Sequence, residues 1–112
     1  MRVGDVVSAM GLEVLVGADG LDREVMGGYA SDLLSCVMAG AEVGDVWVTL
    51  QAHQNVVAVA SLTGVACVVI TEGARPDTDT VARAEREGVI LLATQEDTFC
   101  TVVGLARLGL EA

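Results

Sequence analysis

Two short stretches concentrate the groups that do chemistry in this chain. In T-L-Q-A-H-Q-N, residues 49–55, the hydroxyl of Thr49, the amides of Gln51, Gln54 and Asn55 and the sole imidazole, His53, stand between two apolar runs. In L-D-R-E-V-M-G-G-Y-A-S-D, residues 21–32, Arg23 is the one cation between Arg2 and Arg75. It is flanked by Asp22 and Glu24 and followed by Gly27, Gly28 and Asp32. A guanidinium presents a planar fork to an anionic or carbonyl-bearing ligand, and paired glycines leave room for a close backbone approach. The plainer role for Arg23 is an ion pair with a sheet-edge carboxylate such as Asp32, while Asp22 accepts turn hydrogen bonds. For His53 and its amide neighbours the plainer role is to satisfy the free N–H groups of a helix start. Against it stands their place beyond the carboxyl end of a strand, where open α/β sheets collect ligands. The expected ligand-binding set is therefore Asp22, Arg23, Gly27, Gly28, Asp32, Thr49, Gln51, His53 and Asn55, in one shared pocket.

Catalysis has less to work with. A phosphate-binding loop of the G-x-x-x-x-G-K-[ST] type needs a lysine, and the chain has none among its six cations. With one histidine, a nucleophile–base pair has to join His53 to a distant Cys or Ser, and no G-x-S-x-G supports it. Cys36, Cys67 and Cys100 lie more than thirty residues apart, which fits neither a disulfide framework nor metal-ligand spacing. No catalytic residue, metal site or cofactor is expected, and the three thiols are expected free and buried.

The elements that must position these groups follow from periodicity. Val3, Val6, Val7 and Met10 recur at helical spacing, predicting a helix over 2–10 closed by Gly11. L-E-V-L-V (12–16) alternates as a strand, G-A-D-G (17–20) is a turn, and L-D-R-E-V-M (21–26) alternates again as an edge strand, with Gly27-Gly28 permitting a bulge or a close backbone approach. Residues 29–34 read as a further strand and 35–41 as a short helical turn. From residue 45 the pattern is β-α-β-α-β-α: strands 45–50, 66–70 and 89–93, helices 53–63 and 78–87 ended by Gly64 and Gly88, and a last helix 95–108 started by Thr94 and Asp97. The continuous apolar strands imply burial on both faces of a parallel sheet with right-handed crossovers. The first forty residues are expected to add strands to one edge. One α/β domain over 1–112 results, three-layered, with a mainly parallel sheet flanked by helices.

Composition narrows the partners. The chain is 53% hydrophobic with a mean hydropathy of +0.58 but only 3% aromatic, so the core is aliphatic. No run reaches the 18 or so apolar residues of a membrane span, and M-R-V-G-D is no signal peptide, so a cytoplasmic location is expected. A net charge of −10 repels nucleic acid and anionic membranes. Residues 25–71 hold three acids and no cation, so the neutral apolar middle of the chain forms the core. The surplus apolar surface suggests a homodimer.

Three stretches resemble the DRTGG domain family: G-L-D-R-E-V-M-G-G-Y-A-S-D-L-L-S at 20–35, G-D-V-W-V-T-L-Q-A-H-Q-N-V-V-A-V-A at 44–60, and G-V-A-C-V-V-I-T-E-G at 64–73. The name-giving residues fall on Asp22, Arg23, Gly27 and Gly28. The resemblance implies a fold like the N-terminal domain of HPr kinase/phosphorylase, in a standalone form without the kinase domain, and a regulatory role. The order of strand, polar loop and helix start is also similar in outline to the uridine-diphosphate-binding domain of the Mur ligases. The expected function is a non-enzymatic regulatory module that binds a small ligand of nucleotide or acyl-phosphate type, or docks a signalling protein. The alternatives are a regulatory subunit whose partner chain supplies phosphotransfer catalysis, and a purely structural dimeric scaffold.

Overall fold

A computed structural model describes residues 1–111. Its elements run α1 (Val3–Met10), β1 (Glu13–Val16), a 3-10 turn (Ala18–Gly20), β2 (Gly27–Ala30), α2 (Leu34–Gly40), β3 (Asp45–Thr49), α3 (Gln54–Thr63), β4 (Cys67–Ile70), α4 (Thr78–Glu87), β5 (Leu91–Ala93) and α5 (Thr98–Arg107). One five-stranded sheet has the order β1-β5-β4-β3-β2; all neighbours are parallel except β1, which runs antiparallel to β5.

Alternation along the strands sends side chains into two separate cores. Trp47, Val68, Ile70 and Leu91 point to one face, where Val37 of α2, Val56, Val57 and Ala60 of α3 and Ala84 of α4 cover them. Val46, Val48, Cys67, Val69 and Leu92 point to the other, beneath Val3 and Val6 of α1 and Leu105 of α5. The apolar strands are thus buried on both faces, and the three-layer α/β expectation holds. Among the described residues, no helix is long and apolar enough to cross a membrane.

Four expectations need correction. Residues 21–26 are not a strand, because Leu21 and Arg23 give their carbonyls to the first amides of α1, Gly4 and Val3 (2.8 and 2.9 Å). That segment caps a helix start, and only an isolated Arg2–Glu24 bridge remains of the pairing. The strand forms instead through the two glycines, in register with β3 from Gly27–Asp45 to Ala30–Val48. A Cβ on Gly27 would stand 2.8 Å from the Glu111 carbonyl and 3.0 Å from Asp45 Oδ1, so of the two expected roles the glycine serves the close approach and not a bulge. Secondly, the irregular first third supplies a strand to each edge of the sheet, not to one. Thirdly, α5 begins three residues late, at Thr98. Asp97 Oδ1 accepts the Cys100 N–H (2.7 Å) as its cap, while Thr94 Oγ1 takes the Glu96 N–H in a turn outside the helix. Finally, all three cysteines are free, but only Cys67 is buried.

Burial pushes the Cys67 thiol up to about 12, against the pull of the Arg23 charge. Its folded value exceeds the unfolded one near 9, so this contribution to stability is intact below pH 9 and is lost as pH rises towards 12. Each pH unit in that window removes on the order of 1 kcal/mol. Urea titrations between pH 8 and 11 should show a shallower alkaline loss for Cys67→Ala than for the parent. An aromatic disulfide reagent should label Cys36 and Cys100 in the native protein and Cys67 only after unfolding. Fast native labelling of three thiols contradicts the burial.

Candidate functional site

The polar knot is a hydrogen-bonded hub in which one end of β2 is tied to one end of β3. Thr49, with no exposed surface, donates its hydroxyl to Asp32 Oδ1 (2.8 Å) and accepts the Gln51 N–H (3.1 Å). The same Asp32 oxygen accepts the Leu50 N–H (2.9 Å), and Gln51 Nε2 donates to the Asp32 carbonyl (3.3 Å). The indole of the buried Trp47 donates to the neighbouring Ser31 carbonyl (3.0 Å). His53 is the N-cap of α3: Nδ1 accepts the Asn55 N–H (3.2 Å), which places the proton of the neutral ring on Nε2. Asp77, the N-cap of the neighbouring α4, has its carboxyl held below its usual value first by the Thr80 hydrogen bonds.

Arg23 lies at the opposite end of the sheet. Its guanidinium donates to the carbonyls of Ala66, just before β4, and Gly88, at the carboxyl end of α4 (3.1 and 3.3 Å). Asp32 is not its partner. The exposed Asp22 side chain makes no hydrogen bond among the described residues, and Gly27 and Gly28 open β2 at its amino end. A cavity of about 380 Å³ adjoins Arg23, but Asp19 and Glu85 share it and oppose an anion there. The ten-residue α4 that separates the two ends is about 15 Å long. The nine expected residues therefore form two groups, Asp32, Thr49, Gln51, His53 and Asn55 at the carboxyl end and Asp22, Arg23, Gly27 and Gly28 at the amino end, and not one cleft.

The connections single out another place. Strands β2, β3, β4 and β5 follow one another in sheet order, and α2, α3 and α4 all cover the same face. Only after β5 does the chain cross to the opposite face, where α5 packs on β3 and β2. The outgoing segments of the adjacent strands β4 and β5 thus diverge to opposite faces, the topology that opens a crevice in α/β sheets. Beside it is a polar cavity of about 280 Å³ whose lining includes Glu13, Gly73, Arg75, Thr94, Gln95 and Glu96.

Arg75 forks onto Glu13 with two hydrogen bonds of 2.9 Å, which hold the Glu13 carboxyl below and the guanidinium above their ordinary values. Glu72, at φ +64, is the one non-glycine in left-handed backbone among the described residues. That conformation is held by its N–H to the Glu96 carbonyl (2.8 Å) and its carboxylate on the Thr98 N–H (3.0 Å). Thr71 and Thr98 hydroxyls meet at 2.7 Å beneath. Sequence reasoning passed over these residues because 71–77 reads as a plain loop; the sign available was Arg75, the one cation of that loop.

The molecule is thus a three-layer α/β module. The DRTGG domain family model matches residues 5–108, and the chain belongs to that family. No curated protein matches it in sequence. In structure it is similar to the CBS and DRTGG domains of the regulatory region of Clostridium perfringens pyrophosphatase, complexed with its activator diadenosine tetraphosphate. The TM-score is 0.67 at 11% identity, covering 88% of this chain and 43% of that one. The chain therefore spans less than half of that regulatory region.

If the knot is chiefly structural, Thr49→Val should lower stability by about 1–3 kcal/mol, since Asp32 and the Gln51 N–H both lose a partner. His53→Ala, at an exposed helix start, should cost less. Urea denaturation of both variants decides it; a Thr49→Val protein as stable as the parent contradicts the hub.

Acid should act on the helix caps. Asp77 and Asp97 are held below the usual aspartate value, first by the backbone N–H groups of Thr80 and Cys100. Depressed carboxyls contribute stability that is present above the unfolded value near 3.9 and lost as pH falls through the folded ones. Melting temperature should be flat from pH 7 to 5 and fall below about pH 4, and the fall should be smaller in the Asp77→Asn, Asp97→Asn double variant.

Proposed function

We propose that this chain is a non-enzymatic regulatory module, working as a homodimer, that responds to a small ligand of nucleotide or acyl-phosphate type seated at the β4–β5 crevice. The observation that carries the reading is the divergence of the two connections above a polar cavity. Arg75 is the cation at that cavity, and its bidentate hold on Glu13 is the geometry a phosphate or carboxylate would take over. Glu13 and Glu96 also line the cavity, so a bare anion gains little net attraction. A ligand that adds hydrogen-bonding edges, as a nucleobase does, fits the carbonyl and amide groups of Thr94, Gln95 and Gly73 better than inorganic phosphate. The knot stands on the same rim, two strand spacings or about 10 Å away. Family membership and the regulatory context of the matched structure support the non-catalytic assignment.

The test is thermal unfolding with diadenosine tetraphosphate, ATP, acetyl phosphate and coenzyme A. A true ligand at a hundred times its Kd adds about 2.7 kcal/mol, or about 10 °C for a chain of this size. Arg75→Ala should abolish the shift while His53→Ala and Arg23→Ala retain it. A shift lost in His53→Ala and kept in Arg75→Ala moves the site to the knot. No shift with any of the four compounds rejects ligand sensing of this class.

A further inference from the structure

The two edges of the sheet are built differently. At one edge, β1 carries a register break between Val14 and Val16 and begins at Glu13, whose carboxylate holds Arg75. Bulges and charges of this kind keep an edge strand from pairing with another chain. At the other edge, β2 is G-G-Y-A: no charge, no proline, and unbroken register with β3 over all four residues. Alternate main-chain groups of β2 face outward with no strand beside them.

What flanks this edge is mostly apolar, with Glu111 at its amino end the one charged residue lining the groove. A groove of about 180 Å³ runs between β2 and α5, lined by Gly28, Ala30, Val48, Val102, Leu105 and Leu110 among others. Phe99 and Val102 on α5 and Leu33 beyond the strand end are 76%, 38% and 62% exposed. Residues 25–41 hold one charge, Asp32, and residues 98–106 hold none, in a chain of net charge −10. The acids lie elsewhere. A basic partner is drawn to those acidic surfaces, whereas a second copy, carrying the same −10, is repelled everywhere but at a neutral face.

The geometry points to β2 as a self-pairing edge: two copies join β2 to β2 antiparallel about a twofold axis, making one ten-stranded sheet. This deepens the homodimer reading above by naming its face. An isologous contact uses the same patch twice, which an antiparallel strand pair satisfies by construction. A stable interface takes about 800 Å² per partner, about a seventh of the 5689 Å² surface. Four strand residues cannot supply that, so the exposed Phe99, Val102 and Leu33 complete the contact, α5 packing beside its symmetry mate.

Light scattering on the eluting chain reads the outcome. The parent should elute at twice 11.5 kDa at micromolar concentration, and Ala30→Glu should elute at 11.5 kDa with an unchanged circular dichroism spectrum. Val102→Glu, outside the sheet, serves if Ala30→Glu fails to fold, and the exposed Leu62→Glu at the end of α3 should stay dimeric. In the parent, hydrogen exchange at the amides of residues 27–31 should slow as protein concentration rises. A dimer that survives both Ala30→Glu and Val102→Glu, or protection appearing elsewhere, overturns the assigned face. A parent that is monomeric at 100 µM overturns the homodimer reading with it, and leaves ligand sensing, read from the Arg75→Ala melting shift, untouched.

Discussion

Everything in this molecule depends on strands β3, β4 and β5 being buried on both faces. Trp47, Val48, Val68, Val69, Ile70, Leu91 and Leu92 have 1% of their surface exposed or less. A strand with two apolar faces demands two covering layers, and right-handed crossovers deliver only one side for strands that advance in a single direction. Helices α2, α3 and α4 therefore fill one face. The other is left to α1, before the parallel strands, and α5, after them. The crevice at β4 and β5 is a consequence: it opens where α5 must leave the common direction to cover the second face.

The same demand explains why aromatic residues are few. With small aliphatic side chains, neighbouring strands and helices pack without large knobs, and Trp47 is the largest fully buried group. Its indole N–H has to be satisfied in that setting, and the Ser31 carbonyl does so directly beside the Asp32 hub. Packing and polar network are thus coupled at one point. Asp32 orders the carboxyl ends of β2 and β3, which in turn set the start of α3 at His53.

How much of this was legible beforehand follows the range of the interaction that decides each element. Helices α3 and α4 were readable within a residue because their signals are local: a capping side chain at one end, a glycine at φ near +70 at the other. Strands β3, β4 and β5 were readable because two-sided burial leaves unbroken apolar runs. The segment 21–26 was misread because its alternation is a true strand pattern, while its carbonyls are claimed by α1 amides some eighteen residues earlier. Arg23 and His53 looked like one site because both are isolated polar features in an apolar stretch. Composition does not state which end of a strand each one reaches, and only register does.

Cation use is the feature that most limits what the module can recognise. Arg75 and Arg83 are each held by a carboxylate, Glu13 and Glu87, and Arg23 by two carbonyls. At these three positions an anionic ligand must displace an internal partner before it gains the guanidinium. At Arg23 the cost is the loosening of a clip between the start of β4 and the end of α4, in a cavity with two acids. At Arg75 the partner is an exposed glutamate on an edge strand, which rehydrates as it leaves. Exchange would thus be cheapest at Arg75, and it would also release β1 from the loop after β4, so that a ligand at the proposed crevice site would act on the one antiparallel edge of the sheet.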